Sequence, residues 1–375
     1  MPSSPDMALR PRQDIPALTG ARGPAALAVV AYHLPVDPTT PGTTSWFGLE
    51  PIFMRGHLGV AFFFILSGFI IHHVYRNVFA SSLNSNDVKR FVLYRFARIW
   101  PLHIVTMVGA LLLYAVAVLV FNRVPGDVDS YSPLSILANT LMVQSWFGIG
   151  SPNVPAWSIS AEWAAYLAFP FLCWLLMRLP LLGWIVLGIA ALLLTGTEFT
   201  THPLGRIATG FVIGMVLREC EGRLGLARHL GRFTGVGVLA LLLAGCWLLP
   251  EESLLPYTLG FAILILALCN PGDWLAGLAA RKPLVYLGEI SFALYMVHAV
   301  VWSAFKNLLR IVAPGIEPTA HLPVLAGTIL SLLAAAALYH LIEIPGRNML
   351  RRGHRPAPQH AAETGLSSAE ARPAR

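Results

Sequence analysis

Ten apolar stretches, at about 15–35, 56–79, 99–121, 158–177, 181–197, 203–219, 234–250, 254–270, 284–309 and 321–343, occupy most of this 375-residue sequence. Most are long enough to cross a hydrocarbon layer as a helix, and several are short or interrupted by Gly or Pro. Only 12% of the residues are Asp, Glu, Lys or Arg, where a soluble domain has about 25%. A chain so poor in charge cannot cover its own surface against water, so lipid must face most of it. In lipid every backbone N–H and C=O needs an internal partner, which leaves helices as the form for such runs. The sequence predicts an all-α, polytopic membrane protein of about ten transmembrane helices.

Charge sets the orientation. With the N-terminus in the cytoplasm, every Lys and Arg falls on the cytoplasmic side except Arg55, Arg123, Arg206, Lys306 and Arg310. That asymmetry is the positive-inside pattern for ten spans with both termini cytoplasmic. The net charge of +7 is therefore a topology signal and not the mark of a nucleic-acid partner. The first apolar run lacks a small-residue cleavage site, so no cleaved signal peptide is expected. Residues 1–14 read as a polar cytoplasmic segment, 15–345 as the membrane domain and 346–375 as a basic, disordered cytoplasmic tail. Cys173, Cys220, Cys246 and Cys269 lie in or at the ends of apolar runs without metal-type spacing, so no metal is expected. The segment SPLSILANTLMVQSWFGIG within 122–157 is too short and mixed to span, which suggests a re-entrant or interfacial piece. Nothing in the sequence specifies an oligomeric state.

Ionisable groups inside spans are costly and mark functional candidates. Arg22 and His33 stand eleven residues apart, close to three full turns, so they share one helix face about 16 Å apart along the axis. Spacing alone leaves two readings open: an interfacial anchor with a packing histidine, or two working residues on one stripe. FFFILSGF, 62–69, puts Phe63 in an aromatic cluster ahead of Ser67-Gly68, a notch for another helix or for a ligand. Arg95 and Arg98 are one turn apart at the start of the third span, as membrane anchors or as guanidinium forks for phosphate. In NVPAWSISAEWAAY, 153–166, Glu162 enters an apolar run one turn after Ser158 and one before Tyr166. His298 and Glu343 close the set.

Taken in order, these motifs resemble the acyltransferase-3 family of integral membrane acyltransferases over residues 15 to 347. They are the R-x10-H pair (Arg22, His33), FFF-x-x-SGF (62–69), R-x-x-R-I-x-P (95–101), P-A-W-S-x-S-x-E-W (155–163), G-x-I-S-x-x-L-Y-x-x-H (288–298) and E-x-P (343–345). The resemblance implies transfer of an acyl group, most often acetyl, from cytoplasmic acyl-CoA. The implied acceptor is a hydroxyl of an extracytoplasmic or lipid-linked glycan, or of a small glycosylated, macrolide-like molecule. It implies a multi-pass protein of the cell inner membrane, with membrane lipids, acyl-CoA and the acceptor as partners. His33 is the implied catalytic residue, and Arg22, Arg95 and Arg98 are implied to serve the donor acetyl-CoA.

Around that core the expected catalytic set is His33 with Glu162 and His298. Ser67 and Phe63 are expected beside the donor, and Trp157, Ser160, Tyr166 and Asn153 beside the acceptor. Where relatives often read E-x-Q-F-Y, this chain has Glu162 followed by WAAY and keeps only Tyr166. Members with a C-terminal SGNH-type hydrolase domain are common; this sequence shows none and resembles the stand-alone members. An extended pantetheine arm reaches about 15–20 Å, close to the Arg22–His33 separation. Phosphates at the inner mouth would then place the thioester near His33, acting as general base. The competing expectation is a proton-coupled transporter or flippase with the same residues as relays.

Overall fold

A computed structural model describes residues 15–34, 48–122, 124, 127–250 and 253–351. The expected polar N-terminal segment, most of the 36–55 loop and the tail beyond 351 lie outside these residues.

The described residues contain helices and no strand. In chain order they are α1 (Pro16–Tyr32), α2 (Glu50–Met54), α3 (Leu58–Phe79), α4 (Ser85–Leu119), α5 (Pro133–Thr140), α6 (Ala156–Leu176), α7 (Leu181–Leu194) and α8 (Pro203–Leu224). They continue with α9 (Thr234–Leu248), α10 (Leu254–Cys269), α11 (Trp274–Ala279), α12 (Lys282–Glu289), α13 (Ser291–Val312), α14 (His321–Leu338) and α15 (Ile344–Arg351). Five stretches are long and apolar enough to cross a membrane: α3, α4, α6, α13 and His321–Arg351, which joins α14 to α15. Shorter apolar helices, α7, α9 and α10, accompany them. This is a polytopic membrane protein.

Three elements depart from the simple span pattern. The third span is the outer part of a 35-residue helix, α4. Its first turns carry the KRFVLYRFAR stretch as helix and not as loop, and Asn84 caps it by accepting from the Asn86 N–H. The stretch 284–309 breaks at Ile290 into α12 and α13. Gly288 sits so close to the Thr19 carbonyl of α1 that any side chain there would overlap it. The last span passes through a π-helical turn, Tyr339–Glu343, before α15. Such a turn re-aims side chains and is frequent at functional sites; here it ends on buried Glu343. Because α15 runs to Arg351, the structured body extends six residues past the expected boundary at 345. Arg351 donates to the Tyr94 carbonyl of α4 at 3.2 Å.

The segment 129–155 turns back inward as short helical pieces. The carbonyls of Asn139 and Thr140 accept from His103 and Trp100 of α4, at 2.7 and 3.1 Å. Leu134, Leu137, Leu141 and Phe147 on its other side are exposed, as a lipid-facing edge requires.

Helices α3 and α8 cross in close contact. A side chain at Gly68 would overlap the backbone of Phe211, and one at Gly214 would overlap the Ile65 carbonyl. Small residues that let backbones approach are the main packing device where lipid supplies no hydrophobic drive. The same pair is tied by Glu219, 1% exposed, which meets His72 and Arg76 of α3 at 3.0 Å each and Arg223 at 2.7 Å. Removing one partner from a buried ion group costs about 3–5 kcal/mol, because the remaining charge is left without compensation.

Gly68→Val is expected to abolish recovery of monodisperse protein in detergent. Gly237→Ala, which meets nothing within 4 Å, is expected to leave the melting temperature unchanged or slightly raised. Thermal unfolding followed by size-exclusion chromatography checks both.

Candidate active site

A cavity of about 570 Å³ opens at the arginine-rich end of the bundle between α1, α3, α4, α6, α13 and α15. Arg22, Arg90, Arg95, Arg98 and Arg351 line it, against the two acids Asp87 and Glu162. Four of these arginines have protein partners. Arg90 donates to the Tyr94 hydroxyl at 3.1 Å, and Arg95 to the Tyr75 hydroxyl at 3.1 Å. The Arg95 guanidinium also lies over the Tyr75, Phe91 and Tyr166 rings, at 5.3, 5.8 and 5.9 Å. Arg98 meets Glu343 at 3.4 Å. Arg22, on the wall of the same cavity, makes no hydrogen bond or ion pair among the described residues. The space is thus a positively charged chamber with unspent guanidinium donors, suited to a polyanion.

Deeper in, Glu162 is held by two hydroxyls on one oxygen. Ser67 Oγ donates to its Oε1 at 2.9 Å, and the Tyr166 hydroxyl donates to the same atom. Its other oxygen has no hydrogen-bond partner among the described residues. Phe63, Val60, Ser158 and Tyr295 line the same chamber. The SGF motif therefore divides its labour: Gly68 receives α8, and Ser67 turns inward to the carboxylate.

His33 does not line this cavity. It lies at the end of α1 beside His298, with ring centroids 4.9 Å apart. Together with Val30, Leu34, Trp302, Gly327, Thr328 and Ser331 they bound a separate void of about 10 Å³. His33 Nδ1 faces the Val29 carbonyl at 2.9 Å, and His298 Nδ1 faces the Leu294 carbonyl at 3.2 Å. A carbonyl only accepts, so in the neutral ring each Nδ1 carries the proton and each Nε2 presents a lone pair. That is the tautomer a general base needs. Tyr295 stands between the two spaces. Its ring lines the large cavity and lies 6.1 Å from the His298 ring. Its hydroxyl is fixed by Ser158 Oγ at 2.6 Å and the Pro155 carbonyl at 3.0 Å.

The structure thus brings Arg22, Phe63, Ser67, Arg95, Arg98, Glu162 and Tyr166 into one chamber, and His33 with His298 into another. Glu162 is not hydrogen-bonded to His33: it belongs to the arginine chamber and not to the histidine pair. Trp157, Ser160 and Asn153 line neither space. Ser160 Oγ accepts from the Ser145 N–H at 3.1 Å, and Asn153 Nδ2 donates to the Met296 carbonyl at 2.9 Å. The Trp157 ring meets Phe64, and Arg206 lies over it. In this conformation all three bind the 129–155 segment and α6 to the bundle.

Sequence reasoning passed over Arg351 and Trp302. Arg351 sits in a run of basic residues that imitates a tail. Trp302 is one turn beyond His298, and that same-face spacing was the available signal. Among the described residues no three His, Cys, Asp or Glu side chains converge as a metal site.

Residues 15–340 match the family model described as "Acyltransferase domain". Acyltransferase MdmB of Streptomyces mycarofaciens is 32% identical over 318 residues, which cover 76% of this chain and 79% of that protein. Peptidoglycan O-acetyltransferase OatA of Listeria monocytogenes is 25% identical, over 81% of this chain and 52% of that protein. O-acetyltransferase OatA of Staphylococcus aureus is 22% identical, over 76% of this chain and 50% of that protein. The chain therefore spans about half the length of the two OatA proteins and about four fifths of MdmB. No solved structure matches the chain.

The arginine chamber is testable on its own. Arg22→Ala is expected to weaken pyrophosphate binding about tenfold, the loss of one charge-assisted hydrogen bond. Arg310→Ala, exposed at the far end of α13, is expected to leave it unchanged. Isothermal titration calorimetry checks both.

Proposed function

The chain belongs to the acyltransferase-3 family, and from that premise we propose that it moves an acyl group, most simply acetyl, from coenzyme A to a glycan hydroxyl on the other side of the membrane. It is an integral membrane acyltransferase. In this reading it sits in the cell's inner membrane with both termini cytoplasmic, and the arginine chamber opens to the cytoplasm.

The observation that supports the reading is the pairing of a five-arginine chamber with a histidine pair across one tyrosine. Coenzyme A carries a pyrophosphate and a 3′-phosphate, and Arg22, Arg95, Arg98 and Arg351 offer the complementary forks. The pantetheine arm runs inward past Ser67 and Glu162, and the thioester comes to rest at Phe63 and Tyr295. The acceptor hydroxyl enters from the opposite face. His33 Nε2 takes its proton while the hydroxyl oxygen bonds to the acyl carbon. The C–S bond breaks, and the departing thiolate of coenzyme A takes up the proton that His33 received, which returns the imidazole to its neutral form. Displacement of the Tyr295 ring joins the two spaces for that step. Glu162, held by Ser67 and Tyr166, shapes the inner end of the donor channel, and His298 backs His33. A glycan as acceptor is supported by the OatA relative of Listeria, which is named for peptidoglycan.

His33→Ala is expected to bind acetyl-CoA with unchanged affinity and to lose transfer by about a hundredfold or more, the scale of general-base catalysis. The check is release of label from acetyl-labelled coenzyme A into the acceptor fraction of membranes holding the protein. Near wild-type transfer by this variant would falsify the assignment of His33.

A further inference from the structure

The hydrogen-bonding groups around the small void at His33 are unevenly matched. The two imidazoles present lone pairs at Nε2, and His298 Nε2 is buried with no partner. Ser331 Oγ gives its proton to the Gly327 carbonyl, and Thr328 Oγ1 gives its proton to the Val324 carbonyl, both at 2.8 Å. Those two hydroxyls therefore offer lone pairs as well. The one uncommitted proton donor among these side chains is the Trp302 indole N–H, which is buried and unpartnered; Trp302 itself is 6% exposed. A buried donor or acceptor left unpaired costs about 1–3 kcal/mol, and two residues that bound this void carry one of each.

The indole is held there by design of its neighbour. The Trp302 ring packs so closely on Gly327 that a side chain at 327 would overlap it. The void measures about 10 Å³, at the lower bound for a single water-sized group.

A group that fills this space must both donate and accept. A carbonyl oxygen accepts only and would leave the imidazoles unsatisfied. An ammonium donates only and would leave the indole unsatisfied. A hydroxyl does both. We propose that Trp302 is the positioning residue for the acceptor: its indole N–H holds the oxygen of the incoming alcohol, or of a water in its absence, so that the O–H points at His33. This inference rests on the reading of His33 as the base. It extends that reading by assigning the acceptor an alcohol hydroxyl narrow enough to enter a one-atom slot, and by naming the donor that fixes it. The proton leaves toward His33 Nε2 while the indole keeps its own, so Trp302 changes no charge during transfer.

The experiment compares Trp302→Phe, Trp302→Ala, Gly327→Ala and His33→Ala in membranes supplied with labelled acetyl-CoA, with donor KM and kcat separated. Trp302→Phe keeps an aromatic ring, though a smaller one, and loses the N–H. It is expected to lower kcat about tenfold to a hundredfold, the equivalent of one buried hydrogen bond, with donor KM unchanged. Gly327→Ala, which displaces the indole while retaining it, is expected to show the same split. A merely structural tryptophan gives the opposite pattern: Trp302→Phe near wild type and Trp302→Ala inactive. That pattern, with His33→Ala inactive, overturns the role of Trp302 and leaves the reading of His33 standing. An active His33→Ala overturns both. Should the variants fail to fold, a high-resolution map of the unaltered protein decides: one ordered water bridging Trp302 Nε1 and His33 Nε2 is expected, and a dry void overturns the proposal.

Discussion

An arginine inside a membrane bundle without a carboxylate partner is expensive to keep charged, and Arg22 is held in that position. The arrangement around it is explicable as provision for an anion that arrives from outside the protein. Arg95 is steadied by tyrosine and phenylalanine faces, and Arg98 by Glu343. These contacts fix the guanidinium planes yet leave most of their N–H donors unspent. The long helix α4 carries Arg90, Arg95 and Arg98, the π-turn after α14 delivers Glu343, and α15 returns Arg351 over the mouth. The long α4 and the π-turn, two of the departures from a simple up-and-down bundle, thus both serve this chamber.

The second constraint is separation. The structure keeps the arginine chamber and the histidine pair apart with Tyr295, the separation that the proposed transfer needs to keep a thioester from water. That residue is anchored at its hydroxyl by Ser158 and Pro155, on the segment that also holds Asn153 and Ser160. The P-A-W-S-x-S stretch therefore works mainly through architecture: it fixes the wall between the spaces, and of its residues only Ser158 and Ile159 line the large cavity.

Much of this was legible in the sequence, and the limits have physical causes. The ten apolar runs and the motif order identified the membrane fold and family, because lipid permits so few backbone solutions. Helical spacing placed Arg22 and His33 on one stripe of α1. It could not show that Tyr295, from another helix, stands between the cavity that Arg22 lines and the space at His33. The meeting of His33 with His298 is likewise tertiary. The break at Ile290 was hidden within an unbroken apolar run, since its cause is the contact of Gly288 with α1. Glu162 read as a candidate partner for His33 because both are buried ionisable groups; only the fold reveals that Ser67 and Tyr166 hold it in the other chamber.

The central claim is that donor and acceptor approach the protein from opposite sides of the membrane. Sealed vesicles of defined orientation test it most directly, with labelled acetyl-CoA supplied on one face and acylated acceptor collected from each. The account predicts rapid transfer when acetyl-CoA is on the arginine-rich face, label appearing on the opposite face, and negligible transfer when acetyl-CoA is supplied to that opposite face. Equal rates from both faces, or label confined to the donor side, would contradict it.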